Sequence, residues 1–124
     1  MKTIFVLLCA FAFFGNVTAQ DLNTLRKKHF NVEESIALQG YDPVTYFTGT
    51  SPKKGSAAHM FNYGNVIYHF SSQTNLDAFK VNPAKYEPQY GGWCAYAMGN
   101  SGEKVEVDPK TFKIINGKLY LFYN

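Results

Sequence analysis

Residues 59–83 read HMFNYGNVIYHFSSQTNLDAFKVNP, and the order of patterns within them decides the architecture. Met60–Tyr63 and Val66–Phe70 flank Gly64-Asn65, two residues that tolerate left-handed backbone, so the first half predicts a β-hairpin. Ser71 or Ser72 then offers a helix cap, Leu76 and Phe79 fall on one helical face, and Pro83 halts the helix. The unit is hairpin, then helix. Antiparallel pairing about Gly64-Asn65 sets Tyr68 and His69 opposite Phe61 and Met60, which makes His69 and Met60 cross-strand neighbours.

Downstream, TFKII (111–115) and KLYLFY (118–123) flank Asn116-Gly117, the signature of a second hairpin. Phe112 and Ile114 alternate with Lys113, and Leu119 and Leu121 with Tyr120 and Phe122, so each strand turns one face inward. Upstream, DLNTLRKKHF (21–30) spaces Leu22, Leu25 and Phe30 for a short helix behind an Asp21 cap, with RKKH (26–29) as its solvated face. IALQGYDPVTYF (36–47) predicts short extended pieces around a Gly-Tyr-Asp-Pro turn, and TGTSPKKGSAA (48–58) a loop. These elements predict an α+β domain of two β-hairpins packed with one main helix, plus a short N-terminal helix. No βαβ alternation is present.

The chain opens with Lys2, an eleven-residue apolar run from Ile4 to Phe14, and a small Ala19 preceded by Val17. That pattern predicts a signal peptide over residues 1–19 and an exported domain over 20–124, periplasmic or extracellular. The run is too short for a permanent membrane helix, so no stable membrane insertion is expected once the leader and its Cys9 are removed. Eleven basic and nine acidic residues then remain, with no dense basic stripe, which argues against a nucleic-acid partner. A single thiol, Cys94, excludes an internal disulfide, so stability must come from burial of nine Tyr, seven Phe and Trp93.

Cys94 lies in PQYGGWCAYA (88–97), between aromatic rings and after a glycine pair that permits a sharp bend or a close approach. A thiolate suits a soft ion, and imidazole and thioether are its natural companions, so Cys94 with His69 and Met60 forms one candidate metal site. It requires Cys94 to fold over the first hairpin. Met98 is a further thioether, whereas His29 on the basic helix reads as solvated. Tyr41, Asp42, Tyr90 and Trp93 are candidate ligand-binding residues, with Asp42 also suited to bonding its own turn. The competing reading makes Cys94 a small buried side chain packed on Trp93 and Tyr96. A redox role would need a partner thiol. GxSxG, HExxH and phosphate-cradling loops are all missing, so no enzymatic activity is expected.

GYDPVTYF, YHFSSQTNLDAFKVNPAKYEPQYGG and NGKLYLFYN strongly resemble the exported, single-domain branch of the YHS domain family, across Ile36 to Asn124. The family's better-known members sit in copper-transporting ATPases and some phenol hydroxylases. The resemblance implies a treble-clef-like hairpin-helix unit and a metal-binding role. Matching scaffold positions are Asp42-Pro43-Val44, Tyr68, Phe70, Phe79, Pro83 and Tyr86. The three cysteines of the metal-binding branch, however, correspond here to Thr45, Ser71 and Asn75, so that thiolate site does not carry over. The functional expectation is a small exported YHS-like binding module that takes copper or zinc through Cys94. The alternative is a domain that is structural or binds an organic ligand or a protein, without metal and with Cys94 buried.

Overall fold

The computed structural model describes residues 15–16 and 18–124; most of the expected leader, Cys9 included, lies outside them. The architecture is α+β, as expected, with two sheets. The first hairpin pairs β3 (Ser56–Tyr63) with β4 (Val66–Phe70), and Met60 does stand opposite His69, and Phe61 opposite Tyr68. Gly64 and Asn65 turn the chain at φ 55° and 67°, the left-handed values that this tight turn demands. β3 begins earlier than expected, at Ser56, and a bulge between Ser56 and Met60 absorbs the irregular start. The last residues of the expected loop are therefore strand.

β4 is central. It pairs antiparallel with β3 and parallel with β2 (Ile36–Ala37), which pairs in turn with β1 (Val32–Glu33), giving the order β1-β2-β4-β3. Two-residue strands carry no alternation to detect, and their hairpin turn falls on Glu34 and Ser35, both at positive φ without a glycine to announce it. The neighbouring stretch expected as extended is a single helical turn, α2 (Thr45–Thr48), because Thr45 N–H and its hydroxyl both bond back to the Asp42 carbonyl.

Along β4 the alternate residues Val66, Tyr68 and Phe70 are fully buried. α3 (Gln73–Val81) lies on that face: the Ser72 hydroxyl accepts from Asn75 N–H at 3.2 Å as its cap, and Leu76 and Phe79 point inward. Phe79 is the hub of the core, with ring centroids 4.7 Å from Tyr68, 5.2 Å from Phe70 and 6.1–6.3 Å from Tyr63, Phe61 and Tyr86. Pro83 does more than stop the helix. It occupies the first turn of α4 (Pro83–Tyr86), where its missing N–H costs nothing.

β5 (Asp108–Ile115) and β6 (Lys118–Phe122) form the second hairpin around Asn116-Gly117. Leu119 and Leu121 are fully buried, but Ile114 is exposed, because the hairpin tip projects beyond the core.

In the full chain α1 (Ala19–His29) is capped by Thr18, a residue of the expected leader, and not by Asp21. Asp21 is instead the third helical residue and completes a reciprocal capping box with Thr18. No α1 side chain is buried, and Leu22 and Leu25 are about half exposed. Arg26, expected as part of a solvated face, attaches the helix. It binds Glu87 at 2.7 and 3.2 Å, donates to the Tyr63 and Gly64 carbonyls, and lies over the Phe30 and Tyr63 rings at 4.5 and 4.9 Å. Burial opposes its charge, but Glu87 outweighs burial and raises its pKa.

Two buried phenols give the fold a pH signature. Burial raises the Tyr68 pKa, assisted by the adjacent Glu87 carboxylate, and burial likewise raises that of Tyr46, whose hydroxyl donates to the Pro109 carbonyl. A folded pKa above the unfolded value of 10.0 contributes stability that is complete below pH 10 and lost as pH rises beyond it. The thermal midpoint should therefore fall above pH 10, with a shallower fall in Tyr46→Phe. An unchanged slope in that variant would contradict the assignment.

Candidate functional site

Asp42 is fully buried, and its carboxylate is surrounded by donors. Oδ1 accepts from Val44 N–H at 2.9 Å; Oδ2 accepts from Ser71 N–H, Ser71 Oγ and Asn75 Nδ2, each at 2.8 Å. Thr45 Oγ1 donates to the Asp42 carbonyl at 2.7 Å and accepts from Lys53 N–H at 2.9 Å. Asp42 does bond its own turn, through Val44, but its other oxygen ties that turn to the end of β4 and the start of α3. One carboxylate thus joins three segments. Thr45, Ser71 and Asn75, where the resemblance implies thiolates, are all members of this clasp. Their oxygens and amide are hard neutral groups, engaged in hydrogen bonds, and do not fit a soft ion.

Cys94 sits elsewhere. Pro88 leads into a left-handed turn, with Tyr90, Gly91 and Gly92 at φ 55°, 62° and 88°. Asn31 N–H donates to the Gly91 carbonyl at 2.9 Å, and a Cβ on Gly91 would lie 3.1 Å from Phe30 Cα. The glycine pair thus serves a close approach to the protein's own chain. Trp93 follows, its indole N–H donating to the His29 carbonyl at 2.7 Å. Cys94 N–H then donates to the Val105 carbonyl at 3.0 Å, and the residue begins α5 (Ala95–Asn100).

Cys94 is 3% exposed and belongs to the same core as Leu119 and Leu121. Its surroundings differ from the expected packing, since Tyr96 is 72% exposed. A cavity of about 510 Å³ reaches the thiol, walled by Tyr96, Ala97, Val105, Phe122, Tyr123 and Asn124. Burial pushes the thiol pKa up, but the backbone amides of Ala97, Tyr123 and Tyr96 together outweigh burial, and the net shift is downward. A depressed folded pKa contributes stability that is present above the unfolded thiol value and lost as pH falls through the folded one.

The expected site residues are therefore dispersed. Met60 and His69 are cross-strand neighbours on the outer face of the first hairpin, whereas Cys94 lines a cavity that neither of them reaches. Tyr41 bridges to Lys54, Tyr90 stands 6.3 Å from the Tyr120 ring, and neither they nor Asp42 and Trp93 line the Cys94 cavity. His29 is exposed, as expected, with Nδ1 3.1 Å from Lys104 Nζ. Met98 is half-buried on α5 and does not line the cavity either. Among the described residues, no three His, Cys, Asp or Glu side chains gather closely enough to hold a metal ion, and no helix is long and apolar enough to cross a membrane. No family model, curated protein or solved structure matches the chain. The cavity leaves no mark in the sequence because residues 94, 96, 97, 105 and 122–124 meet only through the tertiary fold.

Proposed function

We propose that this chain is an exported, non-catalytic binding domain of YHS type whose seat is the cavity beside Cys94, and that its ligand is a small organic molecule with a predominantly apolar, aromatic body. The observation that carries this reading is the cavity itself: Tyr96, Phe122 and Tyr123 supply aromatic walls, and Ala97 and Val105 aliphatic ones. Its volume lies within the range of small-molecule sites, and the mix of apolar walls with a few polar atoms is their usual chemistry. Cys94 serves as part of the floor. Two facts favour an organic ligand over a soft ion: Cys94 has neither His69 nor Met60 beside it, and the Asp42 clasp occupies Thr45, Ser71 and Asn75.

The fluorescent probe 8-anilinonaphthalene-1-sulfonate tests this directly, because it combines an aromatic body with one polar group. The native protein should enhance its fluorescence saturably with one site. Ala97→Trp, which fills the cavity from α5, should weaken binding about tenfold or more while leaving the circular dichroism spectrum native. Cys94→Ser should retain the site. Equal probe binding by native protein and Ala97→Trp, or none by either, would overturn the proposal.

A further inference from the structure

The outer face of the first sheet holds a second concavity, remote in composition from the Cys94 cavity. It measures about 320 Å³ and is lined by Glu33, Glu34, Gln39, Lys54 and His69, with Ile36, Gly40 and Gly55 as its apolar floor and edges. We propose that this cleft binds a small dipolar organic ion of amino-acid size, its ammonium group between Glu33 and Glu34 and its carboxylate toward Lys54 and His69.

Charge arrangement supplies the first argument. The lining combines two carboxylates with an ammonium and an imidazole, a composition complementary to a molecule carrying both signs. Among the described residues, the side chains of Glu33, Glu34 and His69 form no ion pair or hydrogen bond, so their polar atoms remain available to a ligand. Lys54, by contrast, is fixed in place: its ammonium donates to the Gln39 carbonyl at 2.9 Å and lies 4.9 Å from the centre of the Tyr41 ring.

Backbone construction supplies the second. Leu38, Gln39 and Gly40 form a run of left-handed residues at φ 58°, 52° and 82°, although only glycine adopts that region without cost. Each of the other two costs on the order of 1 kcal/mol or more. This strained turn carries the wall beside His69. Gly55 N–H donates to the Gly40 carbonyl at 2.8 Å and locks it down. Side chains are disfavoured at both glycines for different reasons: Gly40 sits at φ 82°, and a Cβ on Gly55 would collide with the His69 carbonyl carbon at 2.4 Å. Gly55 thus packs its backbone directly on the backbone of His69 and Phe70. The turn and the end of β4 are thereby held in a fixed relation, which preorganises the cleft between them.

Size supplies the third. At about 320 Å³ the cleft lies at the small end of ligand pockets, suited to a single amino acid rather than a peptide or a sugar chain.

The experiment follows the Gly40 and Gly55 amide resonances in ¹H–¹⁵N correlation spectra during titration with L-lysine, pentane-1,5-diamine and hexanoate. L-lysine should shift both amides saturably, the diamine should bind about tenfold more weakly, and hexanoate should leave both in place. Glu33→Gln with Glu34→Gln, and separately His69→Gln, should each weaken the L-lysine response while keeping native spectra elsewhere. Saturation of the cleft should leave anilinonaphthalene-sulfonate binding unchanged, which separates this site from the Cys94 cavity. Absence of a saturable L-lysine shift, or an equal response in the two variant proteins, would overturn the assignment.

Discussion

Asp42→Ala should cost about 4 kcal/mol of folding stability, because it removes one buried acceptor group and strands several donors at once. Val44 N–H, Ser71 N–H, Ser71 Oγ and Asn75 Nδ2 all lose their partner, Val44 in the buried core and Ser71 and Asn75 at its edge. Hydrogen bonds to a charged group contribute roughly 1.5–3 kcal/mol each, but they share one carboxylate and are not additive. Against the roughly 5–15 kcal/mol typical of a domain, the loss is a large fraction of the total. Asp42→Asn should cost about half as much: it preserves shape, but its amide nitrogen must face a donor on one side or the other. Urea denaturation of both variants, with exposed Asp77→Ala as a control, measures the effect. A loss below about 1 kcal/mol in Asp42→Ala would show that the three segments are joined by packing and not by the carboxylate.

Phe79→Ala is the second large effect, at about 3–5 kcal/mol. The ring is fully buried and touches aromatic rings from β3, β4 and α4, so its removal leaves a cavity against rigid neighbours that cannot easily collapse into it. Phe79→Leu retains most of the volume and should cost about 1–2 kcal/mol. Equilibrium denaturation distinguishes the two. If both variants lose the same amount, the edge-to-face geometry matters more than the space the ring fills.

What the sequence revealed and concealed follows the distance along the chain over which each feature is determined. Gly64-Asn65, Asn116-Gly117 and the Ser72 cap act on residues within a few positions, so both hairpins and α3 were readable, as was the Met60–His69 pairing that the first turn's register dictates. The Asp42 clasp spans 29 and 33 positions to Ser71 and Asn75, and Arg26 reaches 61 positions to Glu87. Such partners are chosen by the fold, and no local pattern marks them. Arg26 therefore passed as one more solvated charge. The candidate site failed to assemble for the same reason: register can place His69 beside Met60, but nothing within PQYGGWCAYA states which strand Cys94 will pack against. Two-residue β1 was invisible because a period of two needs more than two residues to show itself, whereas β2 falls within the stretch read as short extended pieces.

The dispersal of the soft donors has one direct chemical consequence. The thiol is near the surface of a cavity and its pKa is lowered by backbone amides, yet it stands without an imidazole or thioether companion. Native mass spectrometry of the reduced protein, with and without Cu(I) or Zn(II), therefore tests the central claim most directly. The proposed organic-ligand domain predicts no retained ion and the same rate of Cys94 alkylation in either condition. A mass increase of one metal ion, accompanied by protection of the thiol and abolished in Cys94→Ser, would contradict it.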